Sequence, residues 1–309
     1  MKALITGAHG FVGRYLSEHL ESEGDHVVGF DRHDGPDLLD AGAWTALIDR
    51  ERPDAVYHLA GQADVGGSWA APVATFRANA EGTLNVLEAC AASEVPRVLA
   101  VSSADVYGRV TEADLPLDED TPLRPVSPYA ASKVAADFLG LQAFLGRGLG
   151  VLRVRAFNHL GAGQTDRFVA AALAHRVARN ELEGGDVVPV GNLAPRRDFT
   201  DVRDVVRAYR LLVLEGVPGE VYNVCSGHDV AVAELAEQLV QLAERPMRLE
   251  PDPALQRPVD IPVLRGDNTR LRTTTGWTPE IPLHQTLSDL LAHWRTMVAP
   301  AGRPLRSGR

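Results

Sequence analysis

The chain opens on a short apolar run, Lys2-Ala-Leu-Ile-Thr6, and then sets glycines at 7, 10 and 13 before an amphipathic stretch from Phe11 to Leu20. A strand that turns sharply into a helix uses all three glycines. Gly7 supplies the positive φ of the turn, Gly10 lets the backbone approach a phosphate, and Gly13 lets the helix lie close on its sheet. Such a helix start, with Phe11 and Val12 in its first turn, offers backbone N–H groups to a pyrophosphate. A second strand, His26 to Asp31, ends in an acid 18 residues past Gly13, close to the ~20-residue offset of the carboxylate that accepts from ribose hydroxyls. The expected ligand is a dinucleotide. Asp31 favours NAD(H) because it repels a 2′-phosphate, while the adjacent Arg32 attracts one, so NADP(H) is expected to be tolerated.

Strand-like runs recur at 2–6, 26–31, 55–59, 97–102, 151–157 and 221–225, with helical patterns between most of them. That alternation predicts an α/β fold, a Rossmann-type doubly wound parallel sheet. Between Asp31 and Asp40 the chain is too short and polar for another full strand, although Asp37 and Leu38 are placed to meet an adenine. After Gly163 the pattern loosens, which predicts a smaller, discontinuous C-terminal substrate-binding domain. The expected division is 1–163 plus 199–227 for the dinucleotide domain, 164–198 plus 228–298 for the second, and a tail over 299–309 rich in Pro, Gly and Arg. The long patterns Pro72 to Ala92 and Ser127 to Leu145 each carry an apolar stripe, and a spare face on them would suit a homodimer.

Composition removes other classes. A net charge of -10 argues against nucleic-acid binding. Two cysteines in apolar settings, Cys90 and Cys225, suggest neither a disulfide framework nor a metal cluster. No apolar run approaches the ~20 residues that span a bilayer, and the N-terminal strand lacks a signal-peptide pattern, so a cytoplasmic protein is expected.

Ser127-Pro-Tyr-Ala-Ala-Ser-Lys133 carries the sharpest chemistry. Ser127 is a good N-cap and Pro128 suits the first helical position, which puts Tyr129 in the first turn with Lys133 on the same face. A phenol of pKa near ~10 is scarcely ionised at neutral pH. The ammonium and the helix N-terminus are expected to lower it, making Tyr129 an acid/base for an alcohol/ketone pair. Upstream, the buried strand Val98 to Ser103 ends in hydroxyls, and Ser103 is placed to hydrogen-bond a substrate oxygen. Asp105 lies two residues further on.

Gly7-x-x-Gly10-x-x-Gly13, Ser103, Tyr129-x-x-x-Lys133 and Arg197-Asp-Phe-Thr-Asp-Val together resemble the extended short-chain dehydrogenase/reductases that act on nucleotide sugars. The resemblance covers nearly the whole chain. It implies Ser103, Tyr129 and Lys133 as the catalytic set, with Lys133 also holding the nicotinamide ribose. It implies further that His58-Leu-Ala-Gly-Gln62 lines the dinucleotide, with Leu59, Ala60 and Gln62 in contact. Narrower strings, among them Phe157-Asn-His-Leu-Gly and Arg257-Pro-Val-Asp260, resemble the GDP-mannose branch. There Asn158, Asn192, Arg197, Arg257 and Asp260 would hold the GDP half of the substrate, the arginines forking onto diphosphate oxygens. The activity implied is reduction of a C4 ketone. The branch also contains 4,6-dehydratases, which need a further acid/base, and Asp105 keeps that reaction open. A 4-epimerase and a non-catalytic dinucleotide sensor are the remaining alternatives.

Overall fold

The computed structural model describes residues 1–255 and 261–299. Six parallel strands, β1 (Lys2–Thr6), β2 (His26–Phe30), β3 (Ala55–His58), β4 (Arg97–Ser103), β5 (Val151–Ala156) and β6 (Val221–Val224), form one sheet in the order β2-β1-β3-β4-β5-β6. The chain leaves β1 toward β2 on one side and returns to β3 on the other, so the order reverses at β1, where an open α/β sheet places its ligand. Between Phe30 and Ala55 there is a helix and no strand. The polar turn after β2 instead closes on itself, Gly35 N–H donating to the Asp31 carbonyl at 2.7 Å.

Alternation along the strands decides which helix lies on which face. Ile5, Tyr57, Leu99 and Val154 pack with Leu16 and Leu20 of the helix Phe11–Ser22 and with Tyr209 and Leu212 of the helix Val202–Glu215. Their neighbours Leu4, Val56, Val98 and Val151 turn the other way. They meet Trp44 and Ile48 of Ala41–Glu51, Val86 and Leu87 of Gly82–Ala92, and Ala143 of Pro128–Arg147. Each fully buried aliphatic or aromatic side chain contributes roughly 1.5–3 kcal/mol, so a sheet apolar on both faces is stable only with both layers in place.

The chain divides into two compact units. Of the described residues, the first comprises 1–159, 197–229 and 263–280, and the second those within 160–196, 230–262 and 281–309. Val263–Glu280, expected with the C-terminal domain, belongs to the first unit because Leu271 and Trp277 are buried in the core formed with Val205 and Tyr209. In the second unit the helices Val169–Glu183 and Leu283–Val298 pack together. Arg295 grips Glu181 through two bonds of 2.7 Å, and the His175 ring stacks on Trp294 at 4.3 Å. The expected tail lies, from 300 onward, outside the described residues. Both cysteines are buried free thiols, and no helix among the described residues is long and apolar enough to cross a membrane.

Candidate active site

At the switch point the glycines do what their spacing requires. Gly7 has φ 77°, and a Cβ there would lie 3.0 Å from the Ala60 nitrogen, just past the end of β3. On Gly13 a Cβ would fall 2.1 Å from the Gly7 carbonyl oxygen, which no side chain can occupy. Gly10 is extended and starts the helix Phe11–Ser22 with no side chain capping it. The N–H groups of that first turn, on Phe11 and Val12, therefore remain available to a phosphate. The tight glycine turn and the uncapped helix start fit a dinucleotide pyrophosphate.

The turn after β2 is open to solvent. Asp31 accepts from Arg32 N–H at 2.7 Å, and its own N–H donates to Asp34 Oδ1 at 2.8 Å. Arg32 is exposed and donates through Nε to His33 at 3.3 Å. Asp37 caps the next turn by accepting from Leu39 N–H at 2.8 Å, and the Leu38 carbonyl accepts from Asn85 at 2.9 Å. Leu38 also lies against Gly82, where an added Cβ would come within 2.9 Å of it.

Ser127 caps its helix by accepting from Ala130 N–H at 3.1 Å, and Pro128 fills the first position. The Tyr129 hydroxyl is hydrogen-bonded to Ser103, and Asp105 lies close enough to act on it electrostatically. Ser103 ends β4 beside Ala156 and accepts from Asp105 N–H at 3.2 Å. Lys133, one turn along from Tyr129 and also buried, donates to the Val101 carbonyl at 2.9 Å. The sequence led to an acidic phenol. The reverse is found: burial above all, and then the Asp105 carboxylate, raise Tyr129 above the usual phenol range, and the Ser103 hydrogen bond only partly opposes them. Burial lowers Lys133 to about 8. Tyr129 is therefore a protonated phenol at neutral pH, set to give a proton rather than take one.

Beneath these groups runs a buried network that joins two strings matching the resembled family, His58-Leu-Ala-Gly-Gln62 and Asn79-Ala-Glu-Gly-Thr83. His58 joins the Thr6 hydroxyl at 2.8 Å to that of Thr83 at 3.0 Å, and burial with the nearby Lys133 charge pushes its pKa down to about 3. Thr6 also accepts from Ala60 N–H at 3.2 Å, which ties the segment carrying Leu59, Ala60 and Gln62 to the end of β1. The pattern from Pro72 to Ala92 is broken in the middle by a π-helical turn, Arg77–Glu81. Asn79 sits in that turn, accepts from Gln62 N–H at 2.8 Å, and donates to the Gln62 carbonyl at 3.0 Å and the Ser132 hydroxyl at 2.9 Å. Ser132 in turn donates to the Tyr129 carbonyl at 2.6 Å. The string Asn79-Ala-Glu-Gly-Thr83 matches the resembled family and reads as structural, but the bond of Asn79 to Ser132 is not legible in the sequence.

The residues assigned to the GDP half are spread differently. Asn158 is exposed beside His159, whose ring stacks on Phe11 at 6.3 Å. Arg197 is half-buried, next to Asp198, a carboxylate wholly inside the first unit that accepts from Ser226, Gly227 and Gly266. Asn192 is exposed in the second unit and accepts from Ala194 N–H at 3.1 Å. Arg257 and Asp260 lie outside the described residues.

Comparison with known proteins agrees with this geometry. The model of the NAD dependent epimerase/dehydratase family matches residues 3–225. GDP-6-deoxy-D-mannose reductase of Pseudomonas aeruginosa is 40% identical over 305 residues, covering 96% of this chain and 98% of that protein. GDP-mannose 4,6 dehydratase 2 of Caenorhabditis elegans is 28% identical over 94% of this chain and 88% of its own length. Among solved structures, RMD from Pseudomonas aeruginosa complexed with NADPH superposes with a TM-score of 0.89 at 39% identity, covering 96% of this chain and 99% of that one. With the glycine turn at the switch of a parallel sheet and Ser103 bonded to Tyr129 one helical turn from Lys133, this chain belongs to the NAD dependent epimerase/dehydratase family.

Proposed function

We propose that this chain reduces the C4 ketone of GDP-4-keto-6-deoxy-D-mannose to a GDP-6-deoxyhexose, GDP-D-rhamnose or its C4 epimer, with Tyr129 as the proton donor. The observation that carries the reading is the end-to-end similarity to a GDP-6-deoxy-D-mannose reductase, 40% identical over 96% of the chain. The protonated Tyr129 supports it, because a ketone reduction consumes a proton at the new alkoxide.

NADH or NADPH supplies the hydride when bound. Ser103 positions the carbonyl oxygen by hydrogen bonding, and the Tyr129 hydroxyl, already bonded to Ser103, gives up its proton as that oxygen gains negative charge. Such general-acid assistance is worth about 10²–10⁴ in rate. Lys133 holds the nicotinamide ribose and, by its charge, stabilises the phenolate left behind. The diphosphate of the GDP half is held by Arg197 and Arg257, and its ribose by Asp260, with Asn158 and Asn192 donating to the sugar-nucleotide. Gly7, Gly10, Gly13, Asp31, Arg32, Asp37, Leu38 and Gln62 hold the dinucleotide.

Incubation with the 4-keto-6-deoxy sugar nucleotide and each reduced nicotinamide tests the reading, with oxidation followed at 1:1 stoichiometry. Asp105 beside Tyr129 favours one competitor, the 4,6-dehydratase, in which Asp105 would serve as the extra acid/base. Release of a 4-keto-6-deoxy product from GDP-mannose without added reductant would establish the competitor and remove the reductase. The enzyme acts in the cytoplasm as a homodimer. Its interface is formed by the helices Pro72–Phe76 and Pro128–Arg147, which leave Val73 71% and Leu145 72% exposed alongside Phe76 and Phe138. Sedimentation at micromolar concentration reads that assembly.

A further inference from the structure

Asp137 follows Lys133 by one turn on the helix Pro128–Arg147, the spacing at which an ammonium and a carboxylate ordinarily pair. They do not pair here. Lys133 donates to the Val101 carbonyl, and among the described residues no carboxylate acts on it. Asp137 is instead taken by two arginines of β5, Oδ1 accepting from Arg153 Nη1 at 2.6 Å and Oδ2 from Arg155 Nε at 2.8 Å. Both arginines are anchored elsewhere as well. Arg153 Nη2 donates to the Gly219 carbonyl at 2.9 Å, and Arg155 Nη1 donates to the Glu119 carbonyl at 2.8 Å and the Tyr107 hydroxyl at 3.1 Å. The Tyr107 hydroxyl donates to Asn223 Oδ1 at 2.7 Å, and Asp137, Arg153, Arg155, Tyr107 and Asn223 are all buried. Asp137 cannot turn back to Lys133 without opening this network.

We propose that Arg153 and Arg155 are positioning residues that hold the Asp137 carboxylate away from Lys133, so that the lysine ammonium stays available to a ligand and to Tyr129. The role given to Lys133 rests on the reductase reading above; the charge arrangement does not. A carboxylate pair would neutralise the ammonium that the reductase reading assigns to the ribose and the phenolate, and a buried pair one turn away is hard to separate once formed. The other titratable groups around Lys133 leave the arginines to decide the outcome. They are His58 from β3, Tyr129 from the same helix, and Asp105 from the turn after β4, which acts on Tyr129. Glu119 is tied to Asn223 N–H at 2.8 Å and lies beside Arg270.

The chain has only two lysines, Lys2 and Lys133, so lysine labelled with ¹³C at Cε yields two resonances, assigned with a Lys2→Arg variant. Titration of the ligand-free protein then reads Lys133 directly. The wild type is expected to titrate near pH 8. In Arg155→Met the Oδ2 oxygen of Asp137 loses its arginine while Oδ1 stays on Arg153, and the partly released carboxylate acts on Lys133, so that the midpoint rises by about one pH unit or more. In Arg155→Met/Asp137→Asn it returns to the wild-type value or below. If Arg155→Met does not fold, Arg155→Gln is expected to move the midpoint in the same direction. An unchanged midpoint in the single variant, or a raised midpoint that persists in the double variant, overturns the proposal. Because the titration uses neither sugar nor cofactor, a wild type that titrates as expected yet fails to reduce the GDP-sugar removes only the functional reading.

Discussion

At the end of β4 the polar groups are buried and bonded to one another, whereas at the end of β2 they lie in solvent and bond mainly to their own turn. Tyr129, Ser132, Lys133, His58 and Asn79 are all less than a tenth exposed, and each is fixed by a partner from another element. His9 and Asp34, which face each other at 3.5 Å beside the β2 turn, are 58% and 45% exposed. In the proposed reading the two regions serve one ligand, and they obey different energetics. Groups in a dry, connected network cannot relax when one member changes, whereas exposed pairs are screened and interchangeable. The buried end should therefore fix the reaction, and the exposed end should only tune which cofactor is preferred.

The hardest test of that contrast is Tyr129→Phe. It should lower kcat by about 10³ while leaving thermal stability close to wild type, since one hydroxyl and its Ser103 partner are all that is lost. Full ketone reduction by this variant would break the comparison outright. His58 comes next, through pH. Its folded pKa of about 3 lies below the unfolded value of 6.5, so the unfolded chain binds the extra proton first on acidification. The neutral form's stabilisation is complete above pH 6.5 and is lost as pH falls toward 3, with a limiting slope of ~1.4 kcal/mol per pH unit. Urea titrations across that window should show the slope in wild type and a shallower one in His58→Gln. Gly13→Ala, between the two regions, drives a methyl against the Gly7 carbonyl. It should cost roughly 1–3 kcal/mol of stability and weaken NADH and NADPH binding, measured by fluorescence. The smallest effects belong to the β2 turn. Asp31→Asn and Arg32→Ala should each shift the kcat/KM ratio between NADH and NADPH only several-fold, within ~1 kcal/mol, with Tm unmoved. A change of a hundredfold or more there would show that the exposed turn is organised by the ligand as tightly as the buried end.

Much of the frame was legible because it depends on local patterns. The six strands fall where the apolar runs do, and the interval from Asp31 to Asp40 forms no strand because its polar residues satisfy one another in turns. Ser127 and Pro128 fix the start of the helix that carries Tyr129 and Lys133, so their adjacency could be read from spacing alone. The departures have one source in common. Asn79 opens a π-turn in an otherwise regular apolar pattern to reach Gln62 and Ser132, partners 17 and 53 residues away. Leu271 and Trp277 draw their segment into the first unit by filling a core whose other walls are distant in sequence.

The residues by themselves determined the parallel sheet, the glycine turn at its switch point and the pairing of a tyrosine with a lysine on one helical face, since all of these follow from periodicity, capping and steric need over a few residues. Tertiary structure alone decided the charge states. Whether Tyr129 is more or less acidic than a free phenol, and whether Lys133 meets Asp137, turn on burial and on carboxylates and arginines brought in from β4 and β5. Desolvation and long-range contact set those free energies, and neither is written in the spacing of a motif.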